Sequence, residues 1–452
     1  MSLKFHPSMT IRIILPEDAT PARSEKQILV RHSGETIHGH LEIVTRGDFS
    51  FKICLAFEGV VRTWMGSGMD NDPCKLPSTG EYQLLKEVQH ILSDPYMRCR
   101  SEPLYMYRLP FSFTIPRELI SARSDVGPEF LHLCPSANLG LPFKHPLASQ
   151  LYNQPSIRYL IRVKEVRTEM PAASPPKCDR EREIHIMPNT PPPPPVVLEH
   201  FPKDYRTYTS SPIRTRHWRQ PFGVLELSTT EPSPLNICTT TPRASTLTSL
   251  NIVFRPRVNA GPGVCPCNWK FTIRSYVRIR TFCSTQKFKK SPTASSAKVN
   301  RFLTMSDSRA FVETRQYCVS CWKRDPQLIK PSLEAWLEVG GVVDERLCPW
   351  SRSLVVPMSA SKALLPTFLN PLSARQYALV LKVSVEGFSH RGLELVLPLQ
   401  VIYWPDGMQD MAQEESDEPP PFGLADLPES SENGNSMLML GSQGRSPPPY
   451  ET

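Results

Sequence analysis

The chain has 452 residues, too many for one ordinary domain and enough for two or three, each with a core of its own. Its 48 prolines against 21 glycines exclude a collagen-like or Gly-rich linker protein and fit a β protein with many loops and extended proline segments. The net charge of +8 is unevenly split: residues 405–452 carry ten acidic residues and one basic residue, a net −9, which leaves +17 on residues 1–404. A basic body with an acidic tail favours anionic membrane surfaces, acidic peptides or nucleic acid as partners, or else simply keeps the chain soluble.

The first fifteen residues hold no apolar run long enough for a signal peptide, and no window reaches ~18 uninterrupted apolar residues. The expectation is a cytoplasmic chain whose twelve cysteines are reduced thiols. In chain order, Thr10–Leu15 is short and β-branched, and Thr36–Ile43 alternates apolar and polar residues as a half-buried strand does. Strands are also predicted at Phe51–Phe57, Val60–Trp64, Leu109–Pro116 and Ile157–Val166. Gly80–Leu92 is the one helical candidate of this half, or an irregular insertion. Arg180–Ile186 reads as a last strand, followed by the uninterrupted run Pro191–Pro195, which suits a stiff spacer.

A second strand-rich region holds Gly223–Leu227, Leu247–Phe254, Trp269–Thr281, Glu334–Val339, Ser353–Val356, Ala378–Val385 and Leu393–Val401. Lys287–Arg301 is basic and Ser-rich and reads as a mobile loop. Residues 405–452 are acidic, rich in Ser and Pro and poor in aromatics, so they bury too little apolar surface to offset their ordering entropy and are expected to be disordered. Short strands punctuated by turns give an all-β class, a sandwich or barrel.

Several of these segments, taken in order, resemble the α-arrestin branch of the arrestin family, and its fungal members in particular. Gly34–Ile43 resembles the family's opening hairpin, Phe57–Val60 its apolar-x-Gly turn, and Phe111–Pro116 its paired-aromatic strand before a proline. Leu131–Ser136 sits where the family has a Leu-Pro-Pro-Ser element, from which Cys134 departs. Leu365–Phe368, Ser373–Leu379 and Leu397–Val401 resemble its late strands, while 255–350 match least. The resemblance implies two tandem immunoglobulin-type β-sandwiches, at 1–190 and 221–404, joined by a Pro-rich hinge at 191–220 and followed by the tail at 405–452. It implies an interaction scaffold, and function is then argued from sites.

The strongest local motif is Pro447-Pro448-Pro449-Tyr450, a Pro-Pro-x-Tyr peptide. WW domains take such a ligand in its preformed polyproline II shape, with the prolines on an aromatic platform and the tyrosine in the adjoining pocket. Pro419-Pro420-Pro421-Phe422 is a degenerate copy whose Phe422 lacks the hydroxyl, a weaker candidate at Pro419, Pro420 and Phe422. Two such sites roughly 30 Å apart would suit tandem WW domains. In α-arrestins the motif recruits HECT-type ubiquitin ligases to a membrane-protein cargo, a transporter or receptor, at the plasma membrane or endosomes. Ubiquitination and endocytosis of the cargo follow. Lys287, Lys289, Lys290 and Lys298 are candidate ubiquitin acceptors on the adaptor itself, and phosphorylation of Ser446 would add charge beside the motif. The alternative is a trafficking or signalling scaffold that works through its sandwiches without a ligase.

Cys265, Cys267, Cys318 and Cys321 give C-x-C and C-x-x-C, a set for zinc or, more commonly, core thiols. No metal or other cofactor is expected. The sequence has no G-x-S-x-G elbow, P-loop or H-E-x-x-H, so a non-enzymatic protein is expected. Without zinc-finger or helix-turn-helix spacing, nucleic acid is not an expected partner.

Overall fold

The structure is a computed structural model. It describes residues 10–19, 29–45, 51–65, 78–92, 98–101, 104–119, 127–140, 143–144, 151–152, 155–168, 181–201, 203–215, 221–238, 243–257, 266–328, 348–361, 363–389 and 392–405. The expected strand Glu334–Val339, the whole segment 407–452 and Cys265 lie outside these residues. Residues 1–406 cluster as one unit.

The fold is all-β, a sandwich of alternating strands. In the first half a four-stranded sheet runs in the order Thr10–Ile14, Thr36–Thr45, Leu104–Thr114, Arg98–Ser101. Facing it is a sheet ordered Val30–His32, Glu181–Met187, Ser156–Thr168, Phe51–Met65, Ser78–Leu92, with Ala137–Asn138 also on Ser156–Thr168. Alternate residues of both sheets interdigitate: Ile37, Leu41 and Ile43 meet Leu55, Phe57, Tyr159 and Ile161, all essentially without solvent contact. The second half repeats the scheme. One sheet is ordered Lys323–Arg324, Trp350–Ser361, Arg243–Pro256, Gly223–Thr229, Tyr208–Thr215, Phe388–Ser389. The other is ordered Leu303–Val319, Trp269–Ser284, Ser373–Val385, Phe368–Leu369, with Glu394–Leu399 also paired to Ser373–Val385. Their core includes Leu225, Ile252, Phe254, Phe271, Val277, Leu379 and Leu397.

Four expectations are corrected. Gly80–Leu92 is part of the strand Ser78–Leu92, antiparallel to Phe51–Met65. Its register passes from Val60↔Gln83 to Gly59↔Leu85, so Leu84 is an extra residue, and the inward side switches from even to odd positions there. That switch spaces Leu84, Leu85, Val88 and Ile91 like the face of a helix. Second, Phe51–Phe57 and Val60–Trp64 are one strand and Gly59 is not a turn. A Cβ at Gly59 would lie 2.6 Å from the Tyr159 ring, so glycine lets the aromatic cross the backbone. Third, Gly34–Ile43 does not open a hairpin. Val30–His32 and Thr36–Thr45 belong to different sheets, and the corner between them turns on Gly34 at φ +88°. Fourth, the expected loop Lys287–Arg301 carries a helix, Ala294–Val299, closed by a capping box in which Ser296 N donates to Thr293 Oγ1 at 3.0 Å and Thr293 N to Ser296 Oγ at 2.9 Å.

The strands Ser78–Leu92 and Leu303–Val319 each end their sheet. Leu303–Val319 also carries an extra residue, between Ser275↔Glu313 and Val277↔Ala310, where Phe311 takes φ +54°.

Candidate functional site

Three arrangements concern function: the spacer with its buried ion pairs, the seam between the halves, and the basic insert. The proline run carries no regular secondary structure and is docked along the second half. Val196 N donates to Glu231 Oε2 at 2.7 Å, and Gln400 Nε2 donates to Pro194 O at 2.9 Å and to Glu231 Oε1 at 2.7 Å. Thr190 N donates to Tyr403 O at 2.8 Å. Proline carbonyls are the acceptors left once the amide donors are gone, and Gln400 takes one of them.

Beyond the run, residues 204–206 cross the outer face of the sheet made by Trp269–Ser284 and Ser373–Val385. Arg206 and Val396 exchange backbone hydrogen bonds at 2.7 and 2.9 Å, and Tyr205 packs on Tyr276, Ala378, Val380 and Val396. Asp204, 4% exposed, is the anchor. Its Oδ1 accepts from Arg280 Nη1, its Oδ2 from Ala294 N at 3.2 Å, and its backbone O from Arg278 Nη2 at 2.9 Å. Arg280 Nε reaches Asp307 Oδ2 at 3.2 Å. Tyr205, Arg278, Arg280, Gln376, Tyr377 and Ala378 line the small recess so formed. Burial, and then the neighbouring Arg280 charge, hold the Arg278 guanidinium below its ordinary pKa. Burial, reinforced by Asp204, pushes the Tyr205 phenol up to about 12. Chemically the cluster is a charge-assisted cross-link that fixes the spacer to the sheet and to the first residue of the insert's helix.

The two halves meet along a seam. Thr63 Oγ1 donates to Ser284 O at 2.6 Å and Ser78 Oγ to Thr285 Oγ1 at 3.0 Å, while a Cβ at Gly80 would stand 2.9 Å from Thr285 Cα. Phe368 and Leu372, late in the chain, complete the core of the first half. Cys134 is buried beside them. Its thiol faces His132 O at 3.7 Å and Leu369 O at 3.8 Å, Asn370 Nδ2 donates to Sγ at 3.8 Å, and Tyr159 OH donates to Cys134 O at 2.7 Å. Cys134 thus ties its loop to the turn Asn370–Ser373, where Asn370 Oδ1 accepts from Leu372 N and Ser373 N at 3.0 and 2.8 Å. His32 stacks on Tyr403 with ring centroids 4.9 Å apart.

Burial pushes the Cys134 thiol up to about 12 from an ordinary value of 9.0, and Tyr205 to the same figure from 10.0. Folding therefore favours the neutral forms. Their contribution is complete below pH 9–10 and is lost as the pH climbs towards 12, at about 1.4 kcal/mol per unit of difference for each group. Urea unfolding at stepped alkaline pH is expected to show stability falling across that window. Replacement of Cys134 by Ala is expected to flatten the early part of the fall.

Of the sequence-predicted site residues, Pro447–Tyr450 and Pro419, Pro420 and Phe422 lie outside the described residues. Lys287, Lys289, Lys290 and Lys298 are all exposed, with Lys287 Nζ 5.1 Å from the centroid of the Tyr82 ring. Cys318 and Cys321 are exposed free thiols, whereas Cys267 is in a disulfide, which corrects the expectation of twelve reduced thiols. Among the described residues no group of three His, Cys, Asp or Glu side chains converges as a metal site, and no helix is long and apolar enough to cross a membrane. The Asp204 cluster was missed. Its signal is Arg274, Arg278 and Arg280 on a strand whose alternate residues Ile273, Val277 and Ile279 are core, a pattern that marks a polar outer face but does not name the acid that covers it.

No protein-family model matches the chain, and no curated protein matches it.

Proposed function

We propose that the chain is a non-enzymatic adaptor that presents Pro447–Tyr450 to a WW-domain HECT-type ubiquitin ligase while its β-sandwich body engages a membrane-protein cargo, so that the cargo is ubiquitinated and endocytosed. The observation that carries the reading is the Pro-Pro-Pro-Tyr peptide within a segment of net −9 attached to a body of net +17. A proline ligand of this kind loses little entropy on binding, and its tyrosine supplies one hydroxyl to a shallow pocket. The motif resemblance to α-arrestins supports the pairing of such a peptide with a β-sandwich body. The adaptor works in the cytoplasm and is recruited to the plasma membrane or endosomes.

Replacing Tyr450 by Ala is expected to reduce affinity of residues 405–452 for a ligase WW domain by tenfold or more, about 1.4 kcal/mol at the least. Titration calorimetry of both peptides checks this, and equal affinities would sink the reading. Binding through Pro419, Pro420 and Phe422 is expected to be weaker, because Phe422 has no hydroxyl to donate. If deletion of residues 405–452 leaves cargo turnover unchanged, the ligase-independent scaffold is preferred.

A further inference from the structure

The register of the strands Trp269–Ser284 and Leu303–Val319 closes at Ser284↔Leu303, so residues 285–302 leave the end of their sheet as an insertion. The insertion is held at its base. Thr285 N donates to Phe302 O at 3.2 Å and Phe288 N to Pro371 O at 2.8 Å, while Gln376 Nε2 donates to Ser291 Oγ and Pro292 O at 3.2 and 3.0 Å. Phe288 and Ala297 turn inward onto Phe282, Leu303 and Ala374. With those apolar groups inside, Lys287, Lys289, Lys290, Lys298 and Arg301 are left exposed.

Lys289, Lys290, Lys298 and Arg301 lie in a stretch without acids: Pro232 to Ser306 contains twelve Lys and Arg and not one Asp or Glu. Asp204 and Asp307, whose contacts reach this part of the sheet, both pair with Arg280. At the end of the short helix, between Lys298 and Arg301, Val299 is 88% exposed, the most exposed of the large apolar side chains described. Cations around an unpacked apolar tip suit an interface that is anionic outside and apolar a few ångströms within.

We propose that residues 285–302 form a membrane-contact surface that docks on the anionic headgroups of a lipid bilayer, with Val299 entering the headgroup–acyl boundary. An acidic protein surface would satisfy the lysines and leave Val299 without a role, whereas a bilayer takes both. The inference does not depend on the ligase reading, and its test contains no ligase or cargo.

The test is sedimentation of the full chain with mixed phosphatidylserine–phosphatidylcholine vesicles, and with phosphatidylcholine alone. The wild-type chain is expected to bind the anionic vesicles and to release as salt rises. The triple variant Lys289→Gln, Lys290→Gln, Lys298→Gln is expected to lose binding on the order of a hundredfold, at ~1 kcal/mol per cation. Lys270→Gln with Lys323→Gln removes charge near the other end of the same strand pair and is expected to cost far less. Val299→Ser is expected to weaken binding severalfold, most visibly at high salt. All these side chains are exposed, so thermal melts are expected to match the wild type. Equal binding to neutral and anionic vesicles overturns the proposal. So does a control variant that loses as much as the triple variant, which would spread the effect over the whole basic body. If Val299→Ser binds like the wild type at every salt concentration, the entry of Val299 into the headgroup–acyl boundary, and with it the proposal as stated, is overturned.

Discussion

Replacing Asp204 by Ala is expected to destabilise the folded chain by about 3–5 kcal/mol, the usual cost of removing one partner from a buried ion pair. The Asp204 side chain is 2% exposed and that of Arg280 13%, so the cation is left in a poorly hydrated place with Asp307 as its remaining ion-pair partner among the described residues. Arg278, whose Nε already has no partner, still bonds the Asp204 backbone oxygen but loses a nearby negative charge. Asp204→Asn keeps an acceptor for Arg280 and is expected to fall between the two. The loss should reach beyond the pair, because the same carboxylate caps Ala294 N and holds residues 204–206 against the sheet. Urea unfolding gives the magnitude. A change under about 1 kcal/mol would mean that the pair is hydrated like a surface salt bridge.

Phe368→Ala is expected to cost about 3–5 kcal/mol, the range for large aromatic truncations in a core. Its significance lies in where the loss is felt. Phe368 belongs to the strand pairing with Arg375 in the second half, yet its ring lies with the buried residues of the first half. Hydrogen exchange is therefore expected to rise in peptides from Phe51–Met65 and Ser156–Thr168, some 200–300 positions earlier in the chain, as well as around residue 368. Exchange that rises only around residue 368 would make the seam a passive contact.

Much of the fold was legible because apolar and β-branched runs of strand length mark themselves. Thr36–Ile43, Ile157–Val166 and Ala378–Val385 all fall inside observed strands. In the first, Ile37, Leu41 and Ile43 are buried as alternation requires, whereas in the other two Leu160, Ala378 and Val380 are buried as well as their neighbours. Ser78–Leu92 was not legible, because the unpaired Leu84 reverses which parity faces inward, and a periodicity argument assumes one parity throughout. The turn expected at Gly59 came from the family resemblance; glycine marks either a reversal or a close approach, and the Tyr159 ring decides for the second. The Asp204–Arg280 pair spans 76 positions, and long-range pairing has no local signature. The Pro-Pro-Pro-Tyr motif lies at the opposite extreme. The docking proposed for it would need no fold of its own, because a partner's groove would read the extended peptide directly.

The extra residue in each of the strands Ser78–Leu92 and Leu303–Val319 bears on how the chain behaves when crowded. Among the described residues both strands end their sheets with one side paired to no further strand, the kind of edge on which a second copy could add a strand and begin a fibril. Such growth needs an unbroken flat stretch. Leu84 interrupts the first edge near its middle, and Phe311, at φ +54°, kinks the second. With 15 and 17 residues, these strands would otherwise be long adhesive margins. The bulges divide each edge into two shorter runs, so the irregularity that disguised one strand also works against edge-to-edge pairing.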